Sequence, residues 1–237
     1  MQVEAVLFDL FNTLVLLDED FYTRCLRRLH EFLSKNGIKV PFEDFKRVYF
    51  EVRDRIYVET EENLEEPHFN VRVSRVLNRF GCNFDVSHPV VVGATEAFAD
   101  ELMHCTRLDE DAVDVLSQLH GKYKLGLVSN FAIPECAQKM LNAFGLRRFF
   151  DVIVVSGAIN KRKPSPEIFK EALNTLNVDA SKVAFVGDML DLDVEGPKNV
   201  GMKTILLKRS STENELYVKP DKIIKNLKAL PILLKDC

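Results

Sequence analysis

Five short apolar runs, Val3 to Phe8, Lys124 to Val128, Val152 to Val155, Val183 to Val186 and Thr204 to Leu207, constrain this chain more than any other feature. They are rich in Val, Leu and Ile, and most lack the apolar/polar alternation of a strand with one wet face. Such runs belong to strands covered by helices on both sides, the arrangement of parallel sheets. Segments with helical periodicity separate the last four: Pro134 to Phe144, Pro166 to Leu176 and Leu192 to Val200. Ser165-Pro166-Glu167 opens the second with an N-cap serine, a proline at the first helical position and an early acid. Strand, helix, strand in repetition predicts an α/β fold with a Rossmann-like, doubly wound parallel sheet.

The stretch from about Leu16 to about His104 differs. It holds no clear strand and reads as four amphipathic helices, Phe21 to Leu33, Phe42 to Val58, Asn70 to Phe80 and Val90 to His104. The breaks are Asn36-Gly37, Glu65-Glu66-Pro67 and Gly81-Cys82-Asn83. A block of this length after the first strand exceeds a loop and is expected to form a helical sub-domain. The division is then residues 1–15 and 105–237 for the sheet core and 16–104 for the insertion. The acidic run Glu59 to Glu66 reads as a solvated helix end and turn.

Composition narrows the class. With 237 residues the chain can bury a sizeable core, and 46% apolar with 29% charged residues is ordinary for a soluble globular protein. A net charge of -4 gives no general attraction to nucleic acid or an anionic membrane. The chain begins Met-Gln-Val-Glu without a basic n-region, and no apolar run approaches the ~20 residues of a membrane span. Cys25, Cys82, Cys105, Cys136 and Cys237 are odd in number and form no CxxC pair, so reduced thiols in the cytoplasm are expected.

In a parallel sheet, ligands bind beyond the carboxyl ends of the strands. Here those ends deliver Asp9, then Ser129-Asn130, then Asn160-Lys161-Arg162-Lys163-Pro164, then Gly187-Asp188 with Asp191 and Asp193 close behind. A carboxylate at the mouth of a buried strand suits a nucleophile that splits one hard step into two through a covalent intermediate. Ser129 offers a hydroxyl to an anion, and Lys163 a positive charge.

These residues resemble the haloacid dehalogenase superfamily of hydrolases. Phe8-Asp9-Leu10-Phe11-Asn12-Thr13-Leu14, Leu127-Val128-Ser129-Asn130, Lys163-Pro164-Ser165-Pro166-Glu167-Ile168-Phe169 and Val186-Gly187-Asp188 with Asp193 match its motifs in order, except at Phe11. The helical insertion matches the family's C1 cap in position and size. The resemblance implies Asp9 and Lys163 as catalytic residues and Thr13, Ser129 and Asn130 as contacts to a small anionic substrate. It implies Mg²⁺ held by Asp9, Asp188, Asp193 and the backbone carbonyl of Phe11. Charge agrees: three carboxylates against one ammonium leave a net charge of about minus two, which a hard divalent cation relieves.

Phe11 stands where the family's phosphatases keep an Asp that protonates the leaving alcohol and later activates water, and a phenyl ring transfers no proton. Three readings follow: a phosphatase-type enzyme on a small phosphate ester, slowed by Phe11; a 2-haloacid dehalogenase, whose departing halide needs no proton; or a binding protein that has lost turnover. Retention of Asp188 favours the first. Asp191 reads as a solvated helix-start acid, and Asn12 as a residue suited to a left-handed turn. On the inserted helices Arg24, Arg53, Tyr57, Arg72 and Arg75 are candidates for an anionic substrate, though each alone reads as a surface residue, and His68 and His88 read as solvated loop histidines. A monomer or dimer without nucleic-acid or membrane partners is expected.

Overall fold

The structure, a computed structural model, describes residues 1–209 and 217–235. Cys237 lies outside the described residues; Cys25, Cys82, Cys105 and Cys136 are free thiols. Chain order runs β1 (Ala5–Phe8), β2 (Val15–Leu17), α1 (Phe21–Lys35), α2 (Phe42–Glu59), α3 (Phe69–Arg79), α4 (Pro89–His104), β3 (Thr106–Leu108), α5 (Ala112–Leu119), β4 (Lys124–Ser129), α6 (Pro134–Ala143), β5 (Val152–Val155), α7 (Ser156–Ile159), α8 (Pro166–Leu176), β6 (Val183–Gly187), α9 (Gly196–Asn199), β7 (Lys203–Leu207), β8 (Lys222–Ile224) and α10 (Leu230–Lys235).

Six strands form one parallel sheet in the order β5-β4-β1-β6-β7-β8. The chain winds outward from β1 through β4 and β5, then crosses back to β6 and winds the other way. The crevice where winding reverses opens at the carboxyl end of β1, where such sheets bind ligands. Successive side chains of β1 serve opposite faces. Ala5 and Leu7 share a core cluster with Ile168, Phe169 and Ala172 of α8. Val6 and Phe8 belong to the cluster that includes residues of α5, α6 and α10. Both faces are therefore dry, and fully burying each Val, Leu or Phe contributes about 1.5–3 kcal/mol, which explains the absence of polar alternation.

Four helices occupy the insertion, within a residue or two of their expected ends. Helix α1 packs along α4, α3 packs on α2 and α4, and α4 also touches α6 of the core. The insertion leaves and returns through a two-stranded antiparallel ribbon, Val15–Leu17 against Thr106–Leu108. This corrects the expectation of no strand in that stretch: three-residue strands are too short to display a period. Strand β8 was likewise not anticipated, because it is short and half-exposed. Residues expected to form one helix from Leu192 to Val200 instead form a π-helical turn, Leu190–Glu195, followed by α9. Ser165 caps α8 as expected, accepting the Glu167 amide at 3.3 Å. His68 and His88 are not merely solvated. Each accepts an amide hydrogen through Nδ1 and caps a helix, His68 from Asn70 and His88 from Val90, both at 3.2 Å.

Candidate active site

Three strand ends bring the expected residues together. Asp9 extends β1 by one bond, its amide donating to the Val186 carbonyl at 2.9 Å, and the residue is buried at 7% exposure. Lys163 approaches from the loop before α8 and is 2% exposed. Its ammonium donates to Asp9 Oδ1 and to Asp193 Oδ1, each at 2.7 Å. The other oxygen of Asp193 accepts the amides of Asp188 and Met189, at 3.1 and 3.0 Å. Both Asp193 oxygens are thus already engaged, and the carboxylate orients Lys163.

Two nearby acids part company in the turn Leu190–Glu195. The Asp193 amide donates to the Met189 carbonyl at 2.8 Å, and Asp193, about half a turn from Asp191, faces inward while Asp191 stays exposed, as expected. Gly187 makes room: a Cβ there would stand 2.4 Å from Asp193 Cγ. Any other residue would displace the carboxylate that holds the lysine.

Asn130 donates Nδ2 to the Lys163 carbonyl at 3.0 Å and accepts the Lys163 amide at 2.7 Å. Its amide therefore clamps the lysine's backbone, although Asn130 also borders the cavity. Ser129 is fully buried, and among the described residues its hydroxyl has no partner. Buried hydroxyls are nearly always hydrogen-bonded, so this one suits an incoming ligand oxygen. Thr13, also fully buried, donates Oγ1 to Asp188 Oδ1 at 3.4 Å. Asn12 adopts the left-handed conformation expected of it, with φ 57°.

Asp9, Asp188 and Asp193 each present an oxygen within 4.8 Å of the others. Burial pushes Asp9 up to about 6 against the pull of Lys163, with Asp193 adding to the rise. Burial, then Asp9 and Asp193, push Asp188 up to about 7. Burial also works against the Lys163 ammonium, but Asp193 and Asp9 outweigh it and hold its pKa above the ordinary lysine value. One cation does not neutralise this cluster. Its donors are all oxygen, the chemistry a hard divalent cation prefers. Phe11 stands beside them, half-buried, its ring edge-on to Phe131 with centroids 5.1 Å apart.

The five candidates on the inserted helices separate. Arg24 pairs with Asp18 and Glu101, Arg53 with Asp54, and Arg75 with Glu59. Tyr57 and Arg72 line a cavity that opens beside Lys163. Two residues there were not singled out as substrate contacts. Arg162 donates to Thr60 Oγ1 at 2.8 Å and to the Glu65 carbonyl, tying the lysine loop to the end of α2. Glu66 is buried at 7% exposure, which corrects its reading as part of a solvated turn. Nothing in an acidic run marks which member turns inward.

Asp9, Asp188, Asp193 and Lys163 thus meet at the switch point of a six-stranded parallel sheet. The sequence matches the haloacid dehalogenase-like hydrolase family over residues 3–201, and the chain belongs to that family. It is 32% identical to a glyceraldehyde 3-phosphate phosphatase of Pyrococcus abyssi over 208 residues, covering 87% of this chain and 82% of the relative. A protein of the same description from Methanopyrus kandleri is 28% identical over 90% of this chain and 87% of its own. In fold, the chain is similar to a 2-haloacid dehalogenase from Pseudomonas syringae pv. Tomato, with TM-score 0.77, 24% identity and 98% of both chains covered. It is also similar to a phosphatase of this family from Thermococcus onnurineus, with TM-score 0.71, 24% identity and 98% and 97% covered.

Proposed function

We propose that the chain is a Mg²⁺-dependent phosphatase acting on a small phosphate ester, with Asp9 as nucleophile and turnover limited by Phe11. The observation that supports it most is the cluster of Asp9, Asp188 and Asp193, two of them paired with Lys163, at the same strand ends as a buried hydroxyl without a partner. Asp9 attacks phosphorus. Lys163 and Ser129 hold the phosphoryl oxygens, and Asp193 and Asn130 keep Lys163 in place. Asp9, Asp188 and the Phe11 carbonyl would hold Mg²⁺, with Asp193 at its edge, and the metal would supply charge neutralisation between substrate and nucleophile. Residues 16–104 would act as a cap that excludes water. In this reading the enzyme works in the cytoplasm, as a monomer or dimer, without nucleic-acid or membrane partners. None of the described helices is long and apolar enough to cross a membrane.

Release of phosphate from an aryl phosphate in Mg²⁺, abolished by EDTA, is the expected result. Chloride release from 2-chloropropionate in EDTA would overturn it in favour of a dehalogenase. Silence in both assays, with a phosphate analogue still raising the melting temperature, would make the chain a binding protein.

Proton linkage gives a second prediction. Asp9 and Asp188 lie above their ordinary value of 3.8, at about 6 and about 7, so the metal-free fold favours their protonated forms. Their contribution to its stability is present in acid and is lost as pH rises through 6 to 7. A divalent cation reverses the sign by favouring the ionised forms. Calorimetry should therefore show a larger Mg²⁺-induced rise in Tm at about pH 8 than at about pH 5, where protons compete. A rise independent of pH would place the ion elsewhere.

A further inference from the structure

The mouth beside Lys163 opens into a cavity of about 470 Å³ between the core and the inserted helices. That is within the ~300–1,000 Å³ of pockets that enclose a drug-sized ligand, and a three-carbon phosphate would leave much of it unfilled. Its walls are apolar over most of their area and rich in rings, among them Phe11, Tyr22, Tyr57, Phe69, Phe98 and Phe131. Phe69 packs on Phe98 with centroids 4.7 Å apart, and Tyr22 stands edge-on to Phe98 at 6.0 Å. A planar ring entering here meets both edges and faces. Phe11 belongs to the wall, so the side chain that removes the proton donor also shapes the leaving-group site.

Arg72 supplies an independent observation. It is 9% exposed, and its Nη1 donates to the hydroxyls of Tyr49 at 3.1 Å and Tyr22 at 3.5 Å. Its Nε is buried without a partner, and no carboxylate among the described residues pairs with it within 4.0 Å. The rings of Phe69, Tyr49 and Tyr57 lie 5.3, 5.8 and 5.9 Å from the guanidinium carbon, which eases its burial without neutralising it. Glu66 and Arg162 border the same cavity. Two guanidinium groups against one carboxylate leave a positive charge uncompensated, and a buried charge without a partner is costly.

We propose that this cavity selects phosphate monoesters of phenol-type alcohols carrying an acidic substituent, with the ring between the aromatic walls and the acidic group on Arg72. This rests on the phosphatase reading above. Asp9 forms a bond to phosphorus while the bond to the phenolic oxygen breaks. The electron pair leaves on that oxygen, a stable phenolate that takes its proton later from water. An alkoxide has no such route past Phe11.

The test compares kcat/KM for 3- and 4-carboxyphenyl phosphate, phenyl phosphate and glycerol 3-phosphate, in the full chain with Mg²⁺. Both aryl classes should exceed glycerol 3-phosphate by ~10²-fold or more, the low end of what proton transfer supplies. One carboxyphenyl isomer should exceed phenyl phosphate by ~10-fold or more, the range of one hydrogen bond to a charged group. Arg72→Gln should remove that second preference and Arg72→Lys retain part of it. Equal turnover of glycerol 3-phosphate would overturn the proposal, as would an Arg72→Gln loss of the same size for phenyl and carboxyphenyl phosphate. If all esters react without preference, this proposal alone falls. If none releases phosphate, the phosphatase reading falls with it.

Discussion

Phe11→Asp is expected to raise turnover of alkyl phosphates by about 10²–10⁴-fold, the usual worth of a positioned proton-transfer group. The substitution places a carboxyl two residues beyond Asp9, where a leaving oxygen and the later attacking water both need a proton partner. Aryl phosphates should gain less in the first step, because a phenolate leaves unaided. The second step carries the sharper signature. Water attacking the phosphorylated Asp9 has no base at Phe11, so 4-nitrophenyl phosphate should give a rapid burst of nitrophenolate followed by slow release of phosphate. In Phe11→Asp the burst should shrink as the second step quickens. The ring is half-buried against Phe131, so its loss should lower stability by about 1–3 kcal/mol, less than for a fully buried ring. Unchanged turnover in a folded variant would mean that another group already moves the proton. Glu66, buried beside the same cavity with its pKa pushed up by burial, would then be the residue to replace.

The parallel sheet was legible because its strands are dry on both faces, and dryness is written in composition: Ala5 to Phe8 contains no polar residue. The ribbon and β8 were not, since three residues carry no period. Site residues at strand ends were legible for the same reason as the strands. Their neighbours depended on geometry that sequence spacing does not carry. A five-residue separation does not reveal that Asp193 turns back to accept the Asp188 and Met189 amides and to hold Lys163. Arg72 is the instructive case. Beside Arg75 and Arg79 it looks like part of a charged face. Yet Phe69, Arg72, Val73 and Val76 follow the i, i+3, i+4, i+7 spacing of the apolar face, and all four are buried. A cation at an apolar-face position was the signal available, and the exposed Arg75 and Arg79 masked it.

Lys163→Met should abolish phosphate release and lower stability at neutral pH by about 3–5 kcal/mol, the scale for removing one partner of a buried ion pair. Methionine matches the lysine stem in length but leaves Asp9 and Asp193, at 7% and 1% exposure, without the ammonium that bridges them. The loss should depend on pH in a definite direction. Without Lys163, the neighbouring carboxylates and burial raise the Asp9 value further above about 6. The variant therefore recovers stability as pH falls and Asp9 is protonated, and loses it as pH rises. Denaturant unfolding at about pH 5 and pH 8 would check this, with the gap to the parent chain narrower in acid. Adding Asp9→Asn to Lys163→Met removes one of the stranded charges and should restore much of the loss, because the two positions are coupled through one contact. Were the double variant as unstable as Lys163→Met alone at both pH values, the lysine's worth would lie in the contact of its ammonium with the Phe185 ring, whose centroid is 5.2 Å from Nζ, and not in the carboxylates it joins.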